Sequence, residues 1–240
     1  MLVLAVDTCD PQGSVAVLRD AQTIHVIPHD VAQEYSGWLL PAVTAALAAT
    51  SDKISDVDVY AVACGPGSFT GVRIGLAAVK AWAEVHRRRI AGVSRLHALA
   101  SQSSGEHQWV ACFTNAHRGQ VFGGLYRRKT HGLEAVDQEM VIKPGDFARW
   151  VESQVSTDGV DWISPEPACL TETPDWQVRQ DAGEIVQQDA SRLAPAIGRI
   201  GFQNAKSGQL IDVLTLDANY VRRPDAELFW KSKLAGSSSS

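Results

Sequence analysis

Three short apolar segments, joined by even shorter connections, open the chain. Residues 2–6, 14–18 and 23–27 are each rich in β-branched and aliphatic residues, a pattern that is typical of strands. The residues between them are turn formers, and a parallel return would need about a dozen residues or more. The beginning of the sequence therefore predicts a three-stranded antiparallel meander.

The pattern then changes to helical spacing, and helices alternate with strands. The predicted elements are a helix at 33–50, a strand at 57–64, a helix at 70–89, a strand at 90–94 and a short helix at 96–101. A weaker copy of this order follows, with strands at 109–114, 121–127, 133–142 and 160–164 and helices at 144–154 and 191–206. The sequence therefore predicts an α/β protein of two stacked β-β-β-α-β-α lobes, which is the two-lobed actin-like, ribonuclease-H-like (ASKHA) architecture.

The boundary between the two lobes is predicted near residue 104. The first lobe is expected to span residues 1–104 and a degenerate second lobe residues 105–211. A C-terminal segment at about 212–233 is expected to pack back on the first lobe. Residues 234–240 form a low-complexity polar tail that we expect to be disordered.

Composition narrows the range of functions. The 240 residues carry a formal net charge of -5, which disfavours a nucleic-acid binder that works alone, because phosphate affinity comes mostly from Lys and Arg. No apolar run approaches the ~20 residues of a membrane span, so we expect a cytoplasmic protein without a membrane partner. The four cysteines are widely spaced and form no CxxC pair, so reduced, packed thiols are expected.

A glycine-rich loop at 65–71 follows the fourth strand and precedes a long helix. Its glycines let the backbone approach a neighbour closely, and its free N–H groups can face a phosphate. It is not a Walker A motif, because no Gly-Lys-Ser/Thr closes it. Two interpretations remain open: a tight turn that packs the helix on the sheet, or a nucleotide or phosphate site formed by Asp7, Gly65, Gly67, Ser68, Thr70 and Gly71.

The helix after this loop carries small residues and one large anchor on a single stripe, at Gly71, Gly75, Ala78 and Trp82. Such a stripe lets another helix approach closely. That helix is either the one at 33–50 of the same chain or a helix of a partner protein, since aromatic anchors dominate many interfaces.

Evidence for catalysis is lacking in the sequence. His25 and His29 have the spacing of a metal-binding pair on a helix, but Pro28 and the alternating apolar pattern favour an extended segment that separates the two rings. No Ser/His/Asp combination stands in a diagnostic local motif. We therefore predict neither a metal site nor a catalytic residue.

The segment 65–75 (GPGSFTGVRIG), followed by AVKA at 78–81, resembles the signature of the TsaB (YeaZ) family. Looser matches span the chain, at 4–8, 35–41, 92–96, 115–122 and 220–226. Two positions depart from the family pattern, which commonly has His in place of Tyr35 and Asp in place of Asn115. The family is the non-catalytic partner in bacterial synthesis of threonylcarbamoyladenosine (t6A) in tRNA.

The same superfamily contains TsaD, the catalytic subunit, in which two histidines after the next strand hold a metal. Aligned on residues 92–94, these positions are Arg95 and Leu99 here. Neither can bind a metal, because arginine stays protonated and leucine has no lone pair. The resemblance therefore implies a subunit without its own catalysis, metal or required cofactor, and it is compatible with weak ATP or ADP binding at the glycine loop.

The resemblance implies a function by assembly. In this family the helices at 33–50 and 70–89 pack against TsaD, and the complex, with the ATPase subunit TsaE, transfers threonylcarbamoyl to adenosine at position 37 of tRNA. The chain then contacts tRNA only through the complex, and it forms a homodimer when alone. The residues expected at the partner interface are Trp38, Leu39, Val43, Arg73, Ile74, Ala78 and Trp82.

Other classes of function remain open. An autonomous actin-like ATPase or kinase would need a second acidic or glycine-rich phosphate loop, but the corresponding turn at 115–119 has no carboxylate. A metallopeptidase of the M22 type would need the missing histidines. A nucleotide-binding regulator needs only the glycine loop and is compatible with the sequence.

Overall fold

The computed structural model describes residues 1–155, 159–189, 192–219 and 221, which form two α/β lobes. The first lobe contains β1 (Leu2–Asp7), β2 (Ser14–Arg19), β3 (Gln22–Pro28), α1 (Tyr35–Ala49), β4 (Val59–Ala63), α2 (Phe69–His86), β5 (Ile90–Val93) and α3 (Arg95–Ala100). The second contains β6 (Trp109–His117), β7 (Gln120–Lys129), β8 (Gly132–Ala135), β9 (Met140–Ile142), α4 (Pro144–Gln154), β10 (Val160–Ser164), α5 (Ala168–Thr171), α6 (Gln177–Asp181) and β11 (Val186–Gln188). A last helix, α7 (Ala194–Lys206), follows β11.

The first sheet has the strand order β3-β2-β1-β4-β5. The strands β1, β2 and β3 pair antiparallel, so the predicted meander is confirmed. The strands β4 and β5 add to β1 in parallel, and every residue of β1 and β4 is buried. Burial on both faces explains why these strands have continuous apolar sequences rather than alternating ones.

The second sheet has the order β11-β10-β6-β7-β8, and β9 also pairs with β7. The single strand predicted at 133–142 is wrong. Its residues form two strands, because the long strand β7 pairs with β8 along one half and with β9 along the other. The turn after β6 comes later than predicted, since β6 continues to His117 and the positive φ angles fall at His117, Arg118 and Gly119.

Each lobe opens with antiparallel strands and continues with parallel ones, which confirms the predicted two-lobed actin-like fold. The buried apolar residues form two clusters: one spans the first lobe, α7 and second-lobe residues such as Val110 and Ile163, and the other lies within the second lobe. In the second lobe, the core is built on Phe113, Phe147, Trp162 and Trp176, whose rings meet edge to face. Among the described residues, no helix is both long and apolar enough to cross a membrane.

The helix α7 packs on the first sheet, which corrects the predicted extent of the second lobe to residue 211. Gly198 lies against Leu18, and Gly201 lies against Ala61, so closely that a Cβ on either glycine would overlap the neighbouring side chain. These two glycines let α7 lie directly on β2 and β4. The prediction failed here because the contact joins residues far apart in the sequence.

Residues 211–219 run along the first lobe after α7. Ile211 forms an antiparallel β-bridge with Ile90 at the edge of the first sheet. The N–H of Asn219 donates to the carbonyl oxygen of Cys64 at 2.7 Å. From residue 220 onward only residue 221 is described, so the rest of the predicted segment at 212–233 and the predicted tail at 234–240 lie outside the described residues.

Candidate functional site

The neighbouring helices α1 and α2 present an unusual outer surface. None of the 15 residues of α1 is charged, although more than half of them are exposed. Helices at the surface of a globular protein normally carry charged or polar residues on the solvent side. We define the α1–α2 face by the exposed residues Leu40, Pro41, Ala45, Phe69, Arg73, Ala77, Ala81 and Val85.

The α1–α2 face combines large apolar side chains with small ones. Leu40 is 56% exposed, Phe69 41% and Val85 74%. The guanidinium of Arg73 lies over the Phe69 ring, 3.7 Å from its centroid, in a cation–π contact. An exposed surface that is apolar and low in charge is typical of an interface with another protein.

Three residues predicted at the partner interface lie in the core of the first lobe. Trp38, Leu39 and Val43 are at most 5% exposed, so this part of the prediction is wrong. The physical reason is the composition of α1. Because both sides of the helix are apolar, helical spacing alone does not show which side faces the sheet.

The other four predicted residues lie on or beside the α1–α2 face. Arg73 is exposed, whereas Ile74, Ala78 and Trp82 are half-buried, and the Trp82 ring packs 6.2 Å from that of Tyr60. Their contact with a partner stays a prediction. The lack of charge along α1 is the sequence signal that points to the further residues of the face on that helix. The sequence analysis did not name as partner contacts the other residues of the face, which are Leu40, Pro41, Ala45, Phe69, Ala77, Ala81 and Val85.

The glycines of the 65–71 loop pack α2 against the turn between β1 and β2. A Cβ at Gly67 would overlap the carbonyl oxygen of Cys9, and a Cβ at Gly71 would overlap that of Thr8. One helical turn later, Gly75 lies equally close to the hydroxyl of Thr8. Of the two interpretations left open by the sequence, this geometry supports the packing turn.

Hydrogen bonds within the protein use part of the loop that could otherwise hold a phosphate. The N–H of Ser68 donates to the carbonyl oxygen of Cys9 at 2.7 Å. The Ser68 hydroxyl accepts from the N–H of Gly71 at 3.3 Å, so Ser68 is the N-cap of α2. Gly65 has a positive φ of 103°, and Thr70 is exposed. Nucleotide binding at this loop stays a prediction.

A cleft between the lobes opens at the carboxyl ends of β1 and β5. Its lining includes Asp10, Arg95, Leu99, Glu166 and Asp189. Asp7, which was predicted to face a nucleotide, is fully buried behind this lining. Its Oδ2 accepts a hydrogen bond from Nε of Arg95 at 3.2 Å, and Nη2 of Arg95 lies 3.6 Å from Oδ2 of Asp10.

The charges around Arg95 stabilise its charged form. Burial by itself lowers the pKa of the Arg95 guanidinium, but the negative charges of Asp7 and Asp10 outweigh burial and raise this pKa above its usual value. Nearby, burial and then the charge of Asp7 raise the pKa of the Cys9 thiol well above its usual value. Cys9 is therefore a protonated, packed thiol, as expected for a structural cysteine.

The β1–β2 turn is also tied to the start of α1, through residues whose role the sequence did not reveal. The Tyr35 hydroxyl donates to the carbonyl oxygen of Asp10 and accepts from the N–H of Gly13 at 3.0 Å. The Tyr35 ring stacks on the buried His29, with 3.9 Å between their centroids. The His29 Nδ1 lies 2.9 Å from the carbonyl oxygen of Pro11. One turn therefore contacts α1, α2 and α3.

Comparison with known proteins identifies the family to which this chain is related. The model of a family described as TsaD, tRNA N6-adenosine threonylcarbamoyltransferase, matches residues 18–165. Two relatives are both named tRNA threonylcarbamoyladenosine biosynthesis protein TsaB. The one from Bacillus subtilis is 30% identical over 232 residues, which cover 96% of this chain and 98% of the relative. The one from Escherichia coli is 28% identical over 246 residues, covering 98% and 99%.

A solved structure agrees with these matches. YeaZ from Pseudomonas aeruginosa has a TM-score of 0.68 to this chain at 22% sequence identity, and the alignment covers 90% of this chain and 98% of YeaZ. The fold and the match over residues 18–165 define the class, which is a two-lobed actin-like protein related to TsaD. Within that class, the near full-length similarity to the Bacillus relative is more specific. The chain belongs to the TsaB (YeaZ) family.

The metal that the TsaD-like class implies does not fit the residues present here. At the first position that the resemblance to TsaD aligns with a metal ligand stands Arg95, a donor-only group that is already held by two carboxylates. The other position is Leu99, which is 1% exposed and has no donor atom. Within the part of the chain that the structure describes, no cluster of three His, Cys, Asp or Glu side chains is placed to hold a metal ion.

Proposed function

We propose that this chain is the non-catalytic TsaB subunit of t6A biosynthesis, and that it acts by docking its α1–α2 face on TsaD. Support for the pathway comes from the names of the relatives, and support for docking comes from the structure. The observation that carries the proposal is α1, a charge-free helix that leaves Leu40 and Pro41 exposed beside α2.

The composition of this face suits association. Covering a charged side chain costs free energy unless a partner compensates the charge, whereas an apolar or small residue gains from being covered. Of the residues that define the α1–α2 face only Arg73 is charged, and it already stacks on Phe69; the exposed Glu84 lies beside the face at the end of α2. A partner helix can therefore cover α1 without burying an unpaired charge of this chain.

The role is that of a scaffold, and the chemistry belongs to TsaD. The chain supplies a rigid helical surface, and TsaE joins the complex that transfers threonylcarbamoyl to tRNA. The tRNA is held through the complex rather than by this chain alone, in keeping with its net charge of -5. This function is exercised in the cytoplasm, and the same face pairs two copies of the chain when TsaD is absent.

Size-exclusion chromatography with light scattering tests docking. We expect a homodimer for the chain alone and a one-to-one heterodimer after mixing with TsaD. Leu40→Asp places a charge on the face, and it should weaken the heterodimer by about 30-fold or more, the loss typical of a hot-spot position. The matched control is Val178→Asp, which is 77% exposed on the second lobe and should leave affinity unchanged.

Two results would contradict the docking proposal. One is failure of the wild-type chain to bind TsaD, and the other is an equal loss of affinity for Leu40→Asp and Val178→Asp. A reconstituted t6A reaction with TsaD, TsaE and tRNA then tests the pathway role separately. Activity should fall in parallel with heterodimer formation for Leu40→Asp.

Binding of ATP or ADP is a separate part of the proposal. The scaffold role requires no cofactor, and we propose at most weak nucleotide binding, since Gly67 and Gly71 already pack against Cys9 and Thr8. Isothermal titration calorimetry with ATP and Mg²⁺ measures this affinity directly. Binding as tight as that of a dedicated ATPase would favour the nucleotide-binding regulator over the scaffold.

A further inference from the structure

Arg95 lies where ligands and metal ions commonly bind in open α/β sheets. Asp7 is the last residue of β1, and Arg95 follows β5 as the first residue of α3. The carboxyl ends of parallel strands such as β1, β4 and β5 are the usual edge for such sites. Both side chains are almost completely buried, since Asp7 is 0% and Arg95 6% exposed.

The polar atoms of Asp7 and Arg95 are used within the protein. The Oδ1 of Asp7 accepts from the N–H of Cys9 at 3.0 Å, and Oδ2 accepts from Nε of Arg95 at 3.2 Å. Nη2 of Arg95 reaches the half-buried Asp10, whose Oδ2 lies 3.6 Å away. A single guanidinium therefore bridges a fully buried carboxylate, that of Asp7, and one that lines the cleft, that of Asp10.

Carboxylate oxygens are the donors that hard divalent cations prefer, and those of Asp7 and Asp10 both face the Arg95 guanidinium. In this chain a side-chain cation stands between them instead, and it comes from the position that a metal ligand occupies in TsaD-like sequences. A guanidinium has no lone pair to offer a metal and remains protonated in proteins. Unlike a metal ion, it can be neither chelated nor exchanged.

We propose that Arg95 is a built-in cation that takes the place of a divalent metal ion between Asp7 and Asp10. The corollary is a latent cation site. When a neutral residue replaces Arg95, Asp7 and Asp10 become available to Mg²⁺ or Ca²⁺, with water completing the coordination. The inference concerns this chain alone and does not depend on docking to TsaD.

The physical basis is charge compensation. Removing one partner of a buried ion pair leaves the other charge without compensation, which strongly destabilises the folded state. A cation that binds the folded but not the unfolded chain restores stability in proportion to the logarithm of its concentration. Stability that depends on a divalent cation is therefore the expected signature of the variant, and the wild type should lack it.

Thermal unfolding of the lone chain, in EDTA and in increasing Ca²⁺ or Mg²⁺, tests the proposal. The wild-type Tm should be the same in all these buffers. For Arg95→Met the Tm should fall by about 6–20 °C in EDTA, as expected for a broken buried pair in a chain of this size. It should recover by about 5–10 °C when the free cation exceeds its Kd by about 100-fold.

Two control variants distinguish a cation site from general destabilisation. Arg95→Met/Asp10→Asn removes one of the two carboxylates, so its Tm should not respond to divalent cations. Arg128→Met breaks a different ion pair, in which Nη2 lies 2.9 Å from Oδ2 of Asp161, and it should lower the Tm without any recovery. Terbium luminescence, a direct probe of cation binding, should increase for Arg95→Met and not for the wild type.

Several results would overturn the proposal. One is an Arg95→Met variant that is as stable as the wild type in EDTA, and another is a destabilised variant whose Tm does not change with divalent cations. A third is a variant that regains stability only at acidic pH, which would mean that protonation of a carboxylate compensates for the lost guanidinium. A wild-type Tm that rises with cations and loses this response in Asp10→Asn would also overturn it. If Arg95→Met does not fold, Arg95→Gln, which keeps an N–H donor without the charge, is judged by the same criteria.

Discussion

The helices of the two lobes differ in the kind of residues that they expose to solvent. In the second lobe, α4 and α6 contribute to ion pairs at the surface, which join Arg149 to Asp146 and Asp175 and Arg179 to Glu152 and Glu184. In the first lobe, α1 has no charged residue, and its neighbour α2 exposes Phe69 and Val85. Both helical layers are well packed on their inner sides, so the difference lies in what each offers to the solvent.

This contrast shows that a candidate interface is recognised from the residues that a helix exposes to solvent and not from those that it packs in the core. Surface ion pairs contribute little to stability, but they keep a helix well solvated. A helix without them gains free energy when another protein covers it. Under the docking proposal, the first lobe is therefore the half of the molecule whose helical surface another protein covers.

The largest expected effect separates the two sides of α1. Trp38→Ala removes a 5% exposed indole from the core and should lower the free energy of unfolding by about 3–5 kcal/mol. Leu40→Ala, two positions away on the exposed side, should change it by no more than about 0.5 kcal/mol. Urea unfolding of the lone chain measures both. Equal losses for the two variants would contradict the assignment of inner and outer sides.

A smaller effect is expected where α2 meets the β1–β2 turn. Gly71→Ala introduces a Cβ that overlaps the carbonyl oxygen of Thr8, and the necessary shift of α2 should cost about 1–3 kcal/mol. The control is Gly37→Ala on α1, where nothing lies within 4 Å of the new Cβ. That variant should instead stabilise the chain by about 0.5–1 kcal/mol, because alanine favours the helix. Calorimetric Tm values check both signs.

The smallest expected effect concerns pH and the junction between the lobes. Burial lowers the pKa of His97, whose ring stacks on Tyr126 of the second lobe at 5.4 Å. In the unfolded chain the pKa of His97 is about 6.5, so below this pH the unfolded chain binds a proton that the folded chain does not yet bind. The free energy of unfolding therefore decreases as the pH falls from 6.5 to the lower pKa of the folded state.

His97→Phe keeps the ring stacking and removes the titrating group. The difference in free energy of unfolding between variant and wild type should therefore change with pH below 6.5 and stay constant above it. Urea midpoints measured on both sides of this value give the difference. A difference that stays constant over the whole range would show that His97 does not contribute to acid sensitivity.

Much of the fold follows from local sequence patterns. The meander, the helices on both sides of the glycine loop and the strand at 160–164 are predicted because short connections and apolar spacing are local properties. The placement of α7 is not predicted, since it depends on Gly198 and Gly201 meeting the distant β2 and β4. The division of 133–142 into β8 and β9 likewise depends on the length of their common partner, β7.

The candidate site was predictable in its location but not in its details. The motif pointed to α1 and α2, yet Trp38, Leu39 and Val43 are buried, because an apolar helix gives no sign of which side is inward. Arg95 was placed at a metal-ligand position, but its bridge to Asp7 joins residues separated by 88 positions. Long-range ion pairs of this kind leave no local pattern in a single sequence.

The turn between β1 and β2 has a consequence for how the family can vary. Turns at a protein surface usually accept inserted or deleted residues. This one is fastened to three helices, through Tyr35, Gly71 and Arg95, so one extra residue would displace all three attachments together. We expect its length to be constant among relatives, and length changes to collect instead at the open turn before Gly132, where nothing lies within 4 Å.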